Sequence, residues 1–346
     1  VSQIPYIVGI VPNLCRVKRY ADAAKVVDVL EVHRGTPGPF EGRERLVDAA
    51  MRELEGGPTL KMLIAGMVNE PSEVRTILRR LIRIMGKRAV SPLLQVIEET
   101  DSEEVKSDCA LTLVGVGDVV RQPIEHILLQ RSSSDDGARY LLKALIELGH
   151  EDSTDVFVAY TRHRTPAVRE EALRCVARLH GVAACNVLTR ATTDTSPSVA
   201  ARAIRLLSDQ KSKHPGYLYV LLQVLGLAPM SASELRETPV SLQVVAVEAL
   251  GKLPSQAELG QLGTVESLLL RCLERDEGTM MSLLQRGKVE DKDKVRVAVC
   301  DVLGDAGSKL SLERLSQHAR EPSPLVRPRM ARAASRIQRR LAEASS

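Results

Sequence analysis

The chain has 346 residues, of which 44% are hydrophobic and 27% are charged, and its formal net charge is +4. This composition excludes a wholly disordered chain, because it supplies enough apolar side chains for a core. With six Tyr, two Phe and no Trp, the chain has too few rings for a surface on which nucleic-acid bases stack. No apolar run reaches the length of about 18 residues that a membrane span requires, so none is expected.

The first 42 residues are predicted to form an N-terminal helical segment that continues a preceding module. One long helix is expected over residues 13–33, followed by a turn rich in Gly and Pro at residues 35–39. The apolar residues 1–14 lack the basic region and the small-residue cleavage site of a signal peptide, so we do not predict one.

Residues 43–346 repeat a single pattern. Similar segments begin at Val74, Val105, Gly137, Val168, Val199, Leu242, Val295 and Val326, and one step upstream at Arg43. Five of the seven steps between the first eight starts lie within one residue of 31, and a fixed period of this kind is typical of a repeat architecture. We predict about nine units, with insertions near residues 208–241 and 277–293 where the steps lengthen.

Each unit is predicted to contain two helices separated by a glycine turn. Apolar residues at offsets 0, 4, 7, 8 and 11 form a stripe on one side of the first helix. Second helices are expected over residues 89–99, 122–130, 153–161, 182–191 and 309–319. The helix ends are expected at glycines in the left-handed conformation, namely Gly86, Gly117, Gly149, Gly181 and Gly307. Helices this short are marginal alone. The prediction is therefore an all-α protein, an α-solenoid of stacked antiparallel helix pairs.

The phrases that join one unit to the next resemble those of the HEAT-repeat family. They read DSEEVK at residues 101–106, PAVR at 166–169, SPSV at 196–199 and EPSPLVR at 321–327. The resemblance is to the short form of about 30 residues, also seen in phycobilin lyases, and it extends from about residue 43 to the end. It implies an α–α superhelix whose second helices line the inner curve. Because unrelated activities share such arrays, it specifies a scaffold and not an activity.

One column of basic residues is predicted to lie inside the stack. It occupies the position after each start: Arg75, Lys106, Arg169, Arg296 and Arg327. At about 100° per residue this position falls within the apolar arc, so we expect partly buried side chains that are paired as an internal ladder. Acids recur in the turns four or five residues before the starts: Glu70, Asp101, Asp194, Asp291 and Glu321. The family resemblance implies that such a turn acid caps the helix start and pairs with an Arg or Lys of the stack.

A second column is predicted to lie on the outer surface of the first helices. It holds Arg80, Leu111, Lys143, Arg174, Arg205, Glu248, Asp301 and Arg332, with Arg83 beside it. A row of cations favours an acidic partner, and the alternative is an ordinary solvated face. Six arginines, Arg336 among them, crowd the C-terminal helix. That patch is interpreted as a polar cap, an anion-binding helix or the edge of a longer array.

Two further groups of partner-binding residues are predicted. The later insertion carries Met280, Met281 and Leu284, which give it an adaptable apolar character. On the inner face of the second helices the candidates are His126, Tyr160, Asn186 and Arg190, with Arg271 and His318.

No motif for catalysis, nucleotide binding or metal binding is present. The chain has one His-Glu dipeptide, at residues 150–151, and no Cys-x-x-Cys pair among its six cysteines. We therefore predict no catalytic residue, metal or cofactor, and a cytoplasmic location that keeps the thiols reduced.

The predicted function is a non-enzymatic scaffold that presents an extended helical surface with basic rows to a protein partner of acidic character. The alternatives are an enzyme, or a chromophore lyase or chaperone of the same repeat type, and a HEAT-like nucleic-acid-binding protein. The small net charge argues against the last of these.

Overall fold

The computed structural model describes residues 4–35, 45, 47–49, 58–149, 153–179, 181–209, 215–225, 238–254, 257, 263–273 and 289–344. These residues form helices joined by turns, which confirms the predicted all-α fold. They divide into two compact units, Val1–Cys175 and Val176–Ser346. No helix in the described ranges is both long and apolar enough to cross a membrane.

The first unit contains α1 to α9 and most of α10. Their bounds are α1 Ile4–Arg16, α2 Tyr20–Gly35, α3 Pro58–Asn69, α4 Ser72–Ile84, α5 Val90–Glu99, α6 Glu103–Val116, α7 Arg121–Leu129, α8 Asp135–Glu147, α9 Thr154–Tyr160 and α10 Pro166–Leu179. The first helices of successive repeats, α4, α6 and α8, pack side by side, and each also packs on a second helix. The predicted stripe is buried: Leu78, Leu81 and Ile82 of α4 are at most 1% exposed.

The prediction of one long helix over residues 13–33 is wrong, because α1 ends at Arg16 and α2 begins at Tyr20. Lys18, between them, has a φ of 58°, which interrupts a right-handed helix. Arg19 then bonds Asp22 in the first turn of α2. The two helices pack on α3 and α4. Of the helix predicted from Arg43, residues 45 and 47–49 are described, and they are helical.

The second unit contains the end of α10 and α11 to α18. Their bounds are α11 Gly181–Ala191, α12 Pro197–Asp209, α13 Pro215–Val224, α14 Val240–Leu250, α15 Val265–Arg271, α16 Val289–Ala306, α17 Lys309–Leu315 and α18 Val326–Glu343. The first helices α12, α14, α16 and α18 pack in sequence. Residues 215–224 of the first predicted insertion form α13, which is the second helix of a repeat. Residues 274–288, which include most of the second predicted insertion, lie outside the described part.

The glycine turns follow the prediction at four of five positions. Gly86, Gly117, Gly149 and Gly181 have φ between 55° and 91°, which a side chain at Cβ disfavours. Gly307 does not have a positive φ, so that prediction is wrong. Its N–H donates to the Leu303 carbonyl oxygen at 2.7 Å, and a Cβ would lie 2.5 Å from the same oxygen. Close approach of the backbone, and not handedness, is what requires glycine there.

Candidate partner-binding surfaces

The internal ladder is most complete at Arg296 of α16, whose side chain is 3% exposed. Its Nη1 and Nη2 donate to both carboxylate oxygens of Glu321, at 2.9 and 2.5 Å, and Nη1 also donates to Asp293 at 3.2 Å. Burial lowers the pKa of Arg296, but the hydrogen bonds and charges of the two acids outweigh it and raise the pKa overall. The guanidinium therefore keeps its positive charge and links α16 to the turn before α18.

Arg75 of α4 forms the equivalent link in the first unit. Its Nε donates to Asp108 at 2.6 Å and its Nη2 donates to Glu104 at 2.8 Å, both on α6, while Nη1 donates to the Glu70 carbonyl at 2.9 Å. The hydrogen bond with Asp108 is the main reason that the pKa of Arg75 is raised. Lys106, the next member, is also buried, but its Nζ lies 3.8 Å from Asp136 of α8.

These contacts confirm a buried ladder in which the turn acid Glu321 pairs with Arg296, as the resemblance implies, and they correct the partners of the other members. Arg75 and Lys106 pair with acids on the first helix of the next repeat, and the turn contributes the backbone carbonyl of Glu70 in place of its carboxylate. Arg169 likewise donates to the His163 and Arg164 carbonyls. Arg327 is exposed, contrary to the prediction, and donates to the Glu321 carbonyl. The Asp194 carboxylate accepts a hydrogen bond from the Ser196 N–H, which is a bond within its own turn.

In the first unit the outer row lies at the surface, as predicted, with Lys143 and Arg174 half-buried. Arg80 is exposed and pairs with Asp28 of α2. Arg83 is exposed, and its Nε donates to the Gly115 carbonyl oxygen of α6 at 3.1 Å; its Nη groups have no partner within the described ranges. The Lys143 ammonium lies 5.1 Å from the ring centroid of Tyr140, which is a cation–π contact.

Two further members complete this row. Arg174 on α10 is partly exposed and pairs with Glu171 at 2.7 Å. Leu111 on α6 is 51% exposed, between the cations of α4 and α8. The outer surface of the first unit therefore combines cations with one exposed aliphatic side chain.

In the second unit the outer row is mixed in charge. Arg205 and Arg332 are exposed, but the helices between them carry Glu248, which is exposed, and Asp301, which pairs with Arg329 at 3.4 Å. Both Arg205 and Arg332 lack a hydrogen bond or an ion pair to any described residue. Acidic members of the row therefore occur in the second unit, whereas the row of the first unit consists of three cations and Leu111.

The arginines of α18 mostly bind within their own unit. Arg336 pairs with Asp305 at 3.1 Å. Arg340 donates to the carbonyl oxygens of Gly304, Asp305 and Gly307 at the C-terminal end of α16. A cation at this end is favourable, because the last carbonyls of a helix lack partners and carry partial negative charge. These contacts favour the interpretation of α18 as a cap over the last repeat.

The second-helix face is partly as predicted. His126 on α7 is exposed, and so are Asn186 and Arg190 on α11. The prediction for Tyr160 is wrong: its side chain is 5% exposed, and its hydroxyl donates to the Leu128 carbonyl oxygen at 2.7 Å. Its ring also stacks on His163, with centroids 5.5 Å apart. Tyr160 therefore joins α9 to α7 and is not available to a partner.

Sequence reasoning missed two exposed apolar residues on these helices. Leu129 follows His126 by three positions and is 64% exposed, and Val182 precedes Asn186 by four and is 69% exposed. An apolar residue inside an otherwise polar arc is the sequence signal that could have found them. The predicted Met280, Met281 and Leu284 lie outside the described residues, as do His150, Glu151 and the side chain of His318. Arg271 is exposed.

Within the described part of the chain, no three His, Cys, Asp or Glu side chains are grouped so that they could hold a metal ion. All six cysteines are free and buried. Burial raises the pKa of Cys109, Cys272 and Cys300 to about 12.

Comparison with known proteins agrees with this architecture. Residues 122–208, which run from α7 to α12, match the family model of HEAT repeats. A crystal structure of importin beta is similar with a TM-score of 0.51 and 15% identity, over 90% of this chain and 49% of the importin beta chain. The chain thus spans about half the length of that protein. The shared feature is the fold, an α-solenoid of HEAT type.

Two other similarities are weaker. An engineered protein has a TM-score of 0.33 and 16% identity, over 97% of this chain and 94% of its own. Human deoxyhypusine hydroxylase in complex with glycerol has a TM-score of 0.31 and 17% identity, over 85% and 99% respectively. No curated protein sequence matches this chain significantly.

Proposed function

We propose that this protein is a non-enzymatic scaffold that binds an acidic segment of a partner protein through the outer row of the first unit. The observation that carries the proposal is the recurrence of cations at the equivalent position of three of the four first helices in the first unit: Arg80 on α4, Lys143 on α8 and Arg174 on α10, with Leu111 at that position on α6. Because packed helices lie about 8–10 Å apart, such a row matches carboxylates spaced along an extended or helical partner segment.

The buried ladder supports this function by holding the row in place. Arg75 lies on α4, the helix that also carries Arg80 and Arg83. Its side chain donates to Asp108 and Glu104 of α6 and so joins the two helices. A surface that is already ordered loses little conformational entropy when a partner binds. Arg83 is favourably placed for this, because its Nε is held by the Gly115 carbonyl.

The cations of the outer surface differ in whether an acidic side chain of this chain already pairs with them. Arg80 and Arg174 already have the acidic partners Asp28 and Glu171, so a binding partner must compete with those pairs. The Arg80–Asp28 pair is exposed, and exposed ion pairs are worth about 0–1 kcal/mol, so that exchange costs little. Glu171 is buried, so displacing Arg174 from it costs more. Arg83 and Lys143 have no acidic partner in the described ranges, and we assign them the larger part of the affinity.

The test is retention of partner proteins by the immobilised full chain at about 50 mM and about 300 mM NaCl, because salt screens exposed charges. The charge-reversal variant R83E/K143E should lose proteins that the wild type retains at low salt. The matched control K61E/R162E changes the net charge equally at exposed positions away from the row. Equal retention by both variants would contradict the proposal.

The molecules retained by the immobilised chain also distinguish the alternative functions. A nucleic-acid binder predicts that nuclease treatment removes the retained material and that affinity falls steeply with salt. An enzyme or chromophore lyase predicts turnover or a bound small molecule, with no dependence on R83E/K143E. We further propose a cytoplasmic location, which the six buried free cysteines support.

A further inference from the structure

A groove of about 790 Å³ opens on the first-helix surface of the second unit. Its apolar lining comes from Val244 of α14, from Val297 and Val302 of α16, and from Leu325 just before α18. Leu325 is 53% exposed, so the groove presents apolar surface to solvent. Its volume lies within the range of pockets that bind small ligands or a few side chains of a partner.

Gly251, immediately after the last residue of α14, allows the helices to meet at the groove. A Cβ at this position would lie 2.5 Å from Cγ1 of Val302 on α16. The backbone of α14 therefore lies directly against α16, and the side chains of Val244 and Val302 are left to line the opening.

The charges around the groove favour a cationic ligand. Its lining includes three cations, each of which already has a carboxylate partner: Lys252 with Asp209 at 2.5 Å, Lys294 with Asp291 at 2.9 Å, and Arg329 with Asp301 at 3.4 Å. Glu248, by contrast, is exposed and has no hydrogen bond or ion pair with any described residue. A cation can therefore pair with Glu248 without displacing a partner, whereas an anion must compete with an exposed ion pair worth up to about 1 kcal/mol.

We propose that this groove docks a short segment of a partner protein that combines an aliphatic or aromatic side chain with a Lys or Arg. The apolar side chain packs on Val302 and Leu325, and the cation pairs with Glu248. The site is separate from the row proposed above: it lies in the second unit, and it selects the opposite charge. Most of the binding energy of such a contact comes from a side chain packed in a desolvated pocket, and the charge pair with Glu248 adds selectivity for a cation.

The experiment selects ligands for the full chain from a phage library of random peptides of about 12 residues, with depletion on the E248K variant. The expected result is enrichment of peptides that carry both an apolar side chain and Lys or Arg. Affinity is then measured by fluorescence polarisation with an enriched, labelled peptide. We expect E248K to weaken binding about fivefold or more, and L325S to weaken it about tenfold.

The control is E313K, which makes the same charge change at an exposed position of α17 outside the groove, and it should bind the peptide as the wild type does. Circular dichroism of all variants checks that they are folded. No enrichment, enrichment of acidic peptides, or equal effects of E248K and E313K would each overturn the proposal. The variant R83E/K143E should bind the groove peptide normally, so failure of this site and failure of the outer row remain distinguishable.

Discussion

Replacing Arg296 with Met should destabilise the second unit strongly. The side chain is 3% exposed, and its partners Asp293 and Glu321 are each 8% exposed. The substitution removes the cation but leaves two buried carboxylates without it. Breaking a buried ion pair in this way costs about 3–5 kcal/mol. For a unit of roughly 170 residues, that corresponds to a fall in melting temperature of about 10 °C.

Lys106→Met is the matched comparison, because the substitution is the same and the ladder position is equivalent. Lys106 is buried, but its partner Asp136 lies 3.8 Å away with 53% of its side chain exposed. After the substitution Asp136 remains hydrated, and the cost of burying an ammonium disappears. We therefore expect the free energy of unfolding to stay constant or to rise by up to about 1 kcal/mol.

The assay is thermal and urea unfolding followed by circular dichroism, with several probes because repeat arrays do not always unfold in one step. The double variant R296M/E321Q should recover part of the loss, because the amide removes one stranded charge, and the double-mutant cycle measures the coupling. Equal destabilisation by R296M and K106M, or no recovery in the double variant, would show that the ladder energies do not follow the burial of the acids.

Two further predictions concern buried polar groups. Glu266 accepts hydrogen bonds from the Ser308 N–H at 2.6 Å and from the Ser311 hydroxyl; burial alone would raise its pKa, but these bonds lower it. Its contribution to stability is therefore present above the pKa of the unfolded chain and is lost as pH falls through the folded value. E266Q should cost stability near pH 7 and progressively less as the pH falls below the ordinary range of a Glu carboxyl, measured by urea unfolding across this range. The six cysteines are all buried, so a thiol-specific chromogenic disulfide should react slowly with the native protein, whereas all six thiols should react in denaturant. Fast reaction of the native chain would contradict their burial.

Local features of the fold could be predicted because each depends on one short stretch of sequence. The glycine turns at Gly86, Gly117 and Gly149 were predicted from the place where the apolar stripe stops, and all three have positive φ. The break at Lys18 and the close approach at Gly307 were missed. The first depends on a single left-handed residue with no distinctive side chain. The second occurs at the end of α16, where the Gly307 backbone approaches the Leu303 carbonyl oxygen without a left-handed residue.

By itself, the sequence determined the repeat period, the helix pairs and the apolar stripe of the first helices that is buried. A period near 31 residues and a stripe at helical spacing can be read from the order of residues along the chain, and they determine which side of a helix must be buried. Only the tertiary structure decided which atoms meet across neighbouring repeats. The distance and rotation between stacked helices bring Arg75 to Glu104 and Asp108, bury Tyr160 against the backbone of α7, and leave the groove beside Glu248 open.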